Sequence, residues 1–129
     1  MGNHPVRDRT YLEARLVEEM ERGWRYARSF TLLIFKPTGG SQSWREERLR
    51  RGLGIVASLV RASDVVATVD DQTFAVLLVE SDAACAQVAI GRIEMALSRQ
   101  PEGPGWEMTT LIYPADSSRI EALPFYVAA

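Results

Sequence analysis

The feature that most constrains the fold is a pair of short apolar segments separated by four polar residues. Residues 64–69 read DVVATV and residues 74–79 read FAVLLV, and Asp70-Asp71-Gln72-Thr73 lies between them. β-branched and aromatic residues in runs of this length favour strands, and a short insert rich in aspartate favours a tight turn. The sequence therefore predicts a β-hairpin here.

Helices and two further strands are predicted around this hairpin. Short apolar runs indicate strands at 30–35 and 106–113, and the segments 37–43 and 101–105 are rich in turn-forming residues. Apolar residues at helical spacing predict a helix at 11–27, one from a cap at Gln42 or Ser43 to about Arg61, one from a cap at Ser81 or Asp82 to about Arg99, and a short one at 117–123. The first helix has Leu12, Leu16, Met20 and Trp24 at four-residue spacing, the predicted inner stripe of the second is Leu49, Leu53, Val56 and Val60, and the apolar positions of the third include Ala84, Val88 and Met95.

This order of elements predicts an α/β sandwich with a mixed sheet and helices packed on it. The chain has 129 residues, 47% of them hydrophobic, which is the size and balance of one domain with one core. We therefore expect a single domain spanning 1–129.

Composition excludes several classes of function. The net charge of −2 argues against DNA or RNA binding, and no apolar run is long enough to insert into a membrane. The chain has one cysteine, Cys85, and one histidine, His4, which leaves no internal disulfide and little for a zinc site or a histidine-dependent triad. With no signal-peptide pattern at the N-terminus, we expect a cytoplasmic location.

The basic residues are unevenly chosen, since there are 14 arginines and a single lysine, Lys36. This bias is typical of a GC-rich genome, but it also suits planar recognition by guanidinium groups. The run Arg45, Glu46, Glu47, Arg48, Arg50 and Arg51 is interpreted as a solvated, ion-paired helix face.

The segment 61–78, RASDVVATVDDQTFAVLL, resembles the central stretch of GGDEF domains, the bacterial signalling family that makes cyclic di-GMP from two GTP molecules. The family pattern there is R-x-x-D, five residues, G-G-[DE]-E-F and an apolar strand. The resemblance extends over most of the chain: 9–16 is similar to the start of the family's first helix, 30–35 to its first core strand and 90–93 to its A-E-R-I-R helix. It implies an α/β sandwich around a mainly antiparallel central sheet, with helices packed on it.

The signature itself departs from the family pattern, because it reads Asp70-Asp71-Gln72-Thr73-Phe74. Two glycines that let the backbone approach the nucleotide are replaced by aspartates, and two acidic residues that serve metal binding and catalysis are Gln72 and Thr73. The family's D-x-D motif at the end of the first strand, which holds magnesium, is replaced by Lys36 and Thr38. The resemblance therefore implies a degenerate domain without cyclase activity, and we predict no catalytic residue, no metal site and no cofactor.

The resemblance is incomplete at both ends of the sequence. The D-x-L-T-G-L motif before the first helix is absent, and 114–129 lacks the family's S-I-G and its last helix. The domain is therefore interpreted as shortened at both ends, either as a divergent small protein or as an excised piece.

One functional motif is retained, because Arg61-Ala62-Ser63-Asp64 matches the R-x-x-D inhibitory site at the family's spacing from the signature. In the family this site binds cyclic di-GMP as an effector, and the accessory arginine of the following helix matches Arg92. Guanidinium can pair with guanine O6 and N7, and a carboxylate can accept from guanine N1 and N2. The resemblance implies a regulatory cyclic di-GMP receptor that uses Arg61, Asp64 and Arg92 and passes its state to a protein partner or a second copy.

The alternative for these residues is structural. Arg61 would close a helix and Asp64 would open a strand, so a local ion pair would explain both. The chain would then be a protein-interaction or dimerisation module that binds no nucleotide. The remaining notable residues have structural interpretations: Cys85 as a small buried residue, the three tryptophans as cover for the edges of the core, and Gly39-Gly40 as a turn.

Overall fold

The computed structural model describes residues 4–101 and 105–127. The predicted break at 101–105 lies largely outside these ranges, as do both chain ends. The elements follow one another along the chain as β1 (Val6–Arg7), α1 (Arg9–Tyr26), β2 (Phe30–Pro37), α2 (Gln42–Ala57), β3 (Val65–Asp70), β4 (Thr73–Leu78), α3 (Ala83–Ser98), β5 (Trp106–Tyr113) and α4 (Ser117–Glu121).

The five strands form one sheet in the order β1-β3-β4-β2-β5. The central pairs are antiparallel, and only β1 runs parallel to its neighbour β3. The predicted hairpin is β3–β4, with Asp70 paired to Thr73 so that Asp71 and Gln72 alone form the turn. A register irregularity between Thr68 and Asp70 marks a bulge just before this turn.

Both faces of the sheet are covered by helices. Strand side chains alternate between the two faces, so Val65 and Ala67 pack on one core while Val66 packs on the other. The first core is closed by α1, α4 and Phe125, and the second by α2 and α3. The predicted α/β sandwich with a mainly antiparallel sheet is therefore confirmed. In the described part of the chain, no helix is long and apolar enough to cross a membrane.

Side-chain caps fix where the long helices begin. Asp8, Ser41 and Asp82 each accept a hydrogen bond from the backbone N–H three residues later, which satisfies one of the free donors of the first turn. Asp82 was one of the two caps expected for α3. For α2 the prediction of Gln42 or Ser43 was wrong, because the cap lies one residue earlier, at Ser41.

Several predicted side-chain positions need correction. Helix α3 buries Ala86, Ile90, Ile93 and Leu97, whereas the apolar positions expected from the sequence, Ala84, Val88 and Met95, are all exposed, the last two to 65% and 57%. Because α3 buries that stripe, Cys85 is also exposed.

One aromatic residue and one charged residue also differ from expectation. Trp24 is exposed rather than covering the core edge. Arg48, expected on a solvated face, is 1% exposed and lies 5.2 Å and 5.5 Å from the ring centroids of Trp44 and Trp106. A run of charged residues predicts an exposed helix face, but the rotation of α2 on the sheet decides which of these residues points inward.

Candidate functional site

A groove of about 280 Å³ lies between the end of α2 and α3. It brings together all three residues predicted to bind an effector, Arg61, Asp64 and Arg92. The rest of its lining is mostly apolar and comprises Leu59, Val60, Leu78, Ser81, Cys85, Val88, Ala89 and Ile93. An apolar groove with a few charged groups is the usual construction of a small-molecule site.

Asp64 lines the groove and is 3% exposed. Its Oδ2 accepts the backbone N–H of Arg61 at 2.9 Å and Nε of Arg61 at 3.4 Å. Its Oδ1 accepts Nη2 of Arg61 and the backbone N–H of Val79, both at 3.3 Å. A carboxylate offers about four acceptor positions, so all of them are used within the chain.

Arg61 lies in the loop after α2, which ends earlier than predicted, at Ala57. Its side chain is 58% exposed, and Nη2 also donates to the carbonyl oxygen of Val79 at 2.8 Å. The bonds from its guanidinium to Asp64 are the long ones, while the backbone N–H of Arg61 makes the short one. The local ion pair of the structural alternative is thus present, but its guanidinium half is exposed and bonded to Asp64 only at long distances, while its short hydrogen bond goes to the carbonyl oxygen of Val79.

Helix α3 forms the opposite wall. Arg92 is exposed on it, one turn from Val88, and Cys85 lies near its first turn. The cap residue Asp82 accepts the backbone N–H of Cys85 at 2.9 Å, and this hydrogen bond lowers the pKa of Asp82 below its ordinary value. The cap therefore carries its charge at neutral pH.

The tip of the β3–β4 hairpin forms a separate, open pocket of about 330 Å³. It is lined by Lys36, Gln42, Asp70, Asp71, Gln72 and Thr73, and Asp70 accepts the backbone N–H of Gln72 at 2.8 Å. Within the described ranges, no three histidine, cysteine, aspartate or glutamate side chains are placed to share a metal ion.

Arg45 ties the loop after β2 to this hairpin, a contact that the sequence pattern did not reveal. Its guanidinium donates to the carbonyl oxygen of Gly40 at 2.7 Å and to that of Gly39 at 3.3 Å, and Nε donates to Oε1 of Gln72 at 3.0 Å. Gly39 and Gly40 have φ of +76° and +70°, which confirms the predicted turn.

A larger cleft of about 790 Å³ lies on the other side of the segment 60–64. Four arginines line it, Arg7, Arg15, Arg22 and Arg61, together with His4 and Tyr11. One sequence pattern could have indicated part of this cleft, because Arg7 and Tyr11 lie four residues apart. The guanidinium of Arg7 lies 4.5 Å from the centre of the Tyr11 ring.

No family model and no curated protein matches this sequence. Solved structures do match: a DGC protein from Thermotoga maritima has a TM-score of 0.76 at 24% identity, with 96% of this chain and 97% of that one covered. The GGDEF domain of DgcB from Caulobacter crescentus, in complex with c-di-GMP, has a TM-score of 0.66 at 11% identity, covering 95% and 82%. The diguanylate cyclase SiaD from Pseudomonas aeruginosa, in complex with its activator SiaC, has a TM-score of 0.62 at 19% identity, covering 89% and 52%. The fold of this chain is that of GGDEF domains.

Proposed function

We propose that the chain is a catalytically inactive, GGDEF-like regulatory domain that binds cyclic di-GMP through Arg61, Asp64 and Arg92. The observation that carries this proposal is the groove in which these three side chains meet. Its apolar walls suit the faces of a guanine ring, and its charged groups suit the edge of that ring.

Ligand binding requires Asp64 to exchange partners, because its acceptor positions are all in use. Arg61 turns its exposed guanidinium from Asp64 and the carbonyl oxygen of Val79 towards guanine O6 and N7, which frees one acceptor position on each carboxylate oxygen. Those positions then accept from guanine N1 and N2, while the backbone N–H groups of Arg61 and Val79 keep the carboxylate in place. Arg92 supplies a second cation from α3.

The residues at the tip of the β3–β4 hairpin support the proposed absence of cyclase activity. Phosphoryl transfer needs metal ions and positive charge around the triphosphate, and the pocket there presents Asp70 and Asp71 beside a single Lys36. The turn residue Gln72 is held by Arg45. We therefore expect purified protein to form no cyclic di-GMP from GTP and Mg²⁺, and measurable turnover would contradict this part of the proposal.

Isothermal titration calorimetry with cyclic di-GMP tests the receptor function. Wild-type protein is expected to bind, and Arg61→Lys, which keeps the charge beside Asp64 but loses the planar fork, is expected to bind about tenfold more weakly or worse. Arg92→Ala, at an exposed position, is expected to weaken binding without affecting folding. Arg25→Ala removes another exposed arginine, which lines neither the groove nor the larger cleft, and serves as the control.

Two results would overturn the receptor proposal. Folded wild-type protein that gives no binding heat with cyclic di-GMP has no such function. Binding that is unchanged in both Arg61→Lys and Arg92→Ala places the ligand elsewhere on the molecule.

A second candidate function is a protein-interaction module that binds no nucleotide. It is favoured by Val88 and Met95, which lie exposed on the same face of α3, two turns apart. Under this alternative, sedimentation or pull-down experiments should detect a complex that Met95→Glu disrupts, in protein that gives no heat with cyclic di-GMP.

A further inference from the structure

The segment 60–64 separates two cavities that share Val60, Arg61 and Asp64 as a common wall. The groove on the α3 side has about 280 Å³, which is below the range of about 300–1,000 Å³ that encloses ligands of drug size. The cleft on the α1 side has about 790 Å³, well within that range. A cyclic dinucleotide has two nucleotide halves, so a ligand with one half in the groove must place the other outside it.

Arg7 is positioned in the larger cleft by two neighbouring elements. Strand β1 pairs with β3, with Arg7 opposite Ala67, and the Asp8 cap starts α1 immediately afterwards. The first turn of α1 brings the Tyr11 ring under the Arg7 guanidinium at 4.5 Å. The strand register and the helix cap thus fix both partners of this stack.

The other cleft arginines are already engaged by carboxylates. Arg15 lies 3.3 Å from a Glu19 oxygen and 3.4 Å from a Glu18 oxygen, and Arg22 lies 3.8 Å from Glu19. Among the residues that the structure describes, no carboxylate forms such a pair with Arg7. A guanidinium stacked by its face on a ring keeps its N–H groups available at its edge, where they match the oxygens of a phosphate.

We propose, on the basis of the receptor function above, that cyclic di-GMP spans the Arg61 wall and that Arg7 binds its phosphodiester on the α1 side. One guanine occupies the α2–α3 groove, and the ring of phosphates and riboses crosses Arg61 into the larger cleft. Arg7 donates two hydrogen bonds to one phosphate, and Tyr11 acts as a positioning residue by holding the guanidinium plane.

Calorimetry with cyclic di-GMP on matched variants tests this assignment. Arg7→Ala is expected to lower the affinity by about tenfold, the loss typical of a charge-assisted phosphate contact. Tyr11→Leu is expected to lower the affinity as well, because the aromatic ring under the Arg7 guanidinium is lost. Tyr11→Phe keeps the ring while losing the hydroxyl that accepts Nη1 of Arg15, and it is expected to bind like wild type. Arg25→Ala is the arginine control.

The outcomes separate this inference from the proposed function. Wild-type affinity in Arg7→Ala, together with weakened binding in Arg61→Lys, would overturn the spanning mode and leave the receptor function intact. Equal losses in Tyr11→Phe and Tyr11→Leu would overturn the positioning role of the ring. Absence of binding by wild-type protein would overturn both proposals.

Discussion

The buried carboxylate of Asp64 has a structural task whether or not a nucleotide binds. It accepts the backbone N–H groups of Arg61 and Val79 and thereby joins the loop before β3 to the end of β4. The same side chain faces the groove between α2 and α3. Under the receptor proposal, stability and binding are therefore coupled at this residue.

Asp64→Ala is expected to lower the free energy of unfolding by about 2–3 kcal/mol, because buried backbone donors lose a charged acceptor. Chemical denaturation followed by circular dichroism measures the change. Arg92→Ala, on the exposed side of α3, should stay within about 0.5 kcal/mol of wild type. A loss below about 1 kcal/mol in Asp64→Ala would mean that the carboxylate is dispensable for the loop.

At the scale of single residues, side-chain orientation was the property that the sequence predicted least well. Arg61, Asp64 and Arg92 were identified through the resemblance to GGDEF domains, and the structure brings them into one groove. Cys85 and Arg48 were assigned to the wrong sides of their helices. The reason is physical: an alanine-rich helix such as α3 has a weak apolar stripe, and Arg48 is buried because its guanidinium lies against Trp44, one turn earlier on α2, and against Trp106 of β5.

Helix α2 contains two glycines with opposite expected responses to alanine. A Cβ at Gly52 would lie 2.7 Å from the ring of Trp106, whose Nε1 donates a hydrogen bond to Oε1 of Gln100 at 3.0 Å. A Cβ at Gly54 would meet nothing within 4 Å. Gly54→Ala is therefore expected to stabilise by up to about 1 kcal/mol through helix propensity. Gly52→Ala is expected to destabilise by about 1–3 kcal/mol through overpacking. Thermal unfolding of the two variants provides the comparison, and a shift of both in the same direction would contradict this packing.

The start of α3 should make stability depend on pH. The pKa of Asp82 is lowered by the N–H of Cys85, so its capping contribution is present above its ordinary value of 3.8 and is lost as the pH falls through the lower folded-state pKa. Asp82→Asn caps the helix without titrating. Denaturant unfolding at neutral pH and below pH 3.8 should show wild type losing more stability than Asp82→Asn. Identical pH dependence in the two proteins would contradict the role of this cap.

Helices longer than about one turn and strands longer than about three residues could be predicted from sequence patterns, whereas strand β1 could not. Two residues, Val6 and Arg7, carry no periodicity, and only their pairing with Val66 and Ala67 makes them a strand. That pairing is what places Arg7 over Tyr11 in the larger cleft. The proposed half of the site on the α1 side therefore depends on tertiary contacts that no local pattern encodes.

The molecule as a whole is a two-faced sandwich in which the segment 60–64 lies between a groove and a cleft. The α/β order of elements and the hairpin were enough to predict the sandwich. The two cavities were not predictable, because each is bounded by elements distant in sequence. Both proposals depend on this arrangement, since the ligand is assigned to the two sides of one loop.

The reactivity of Cys85 reports directly on whether cyclic di-GMP occupies the groove. It is the only cysteine in the chain, it is exposed, and it lines the groove beside Val88 and Arg92. The rate of its alkylation by a maleimide should fall severalfold when cyclic di-GMP is added to wild-type protein, and the ligand concentration needed for this effect should rise by about tenfold or more in Arg61→Lys. An alkylation rate in wild type that is insensitive to saturating cyclic di-GMP would contradict the assignment of this groove.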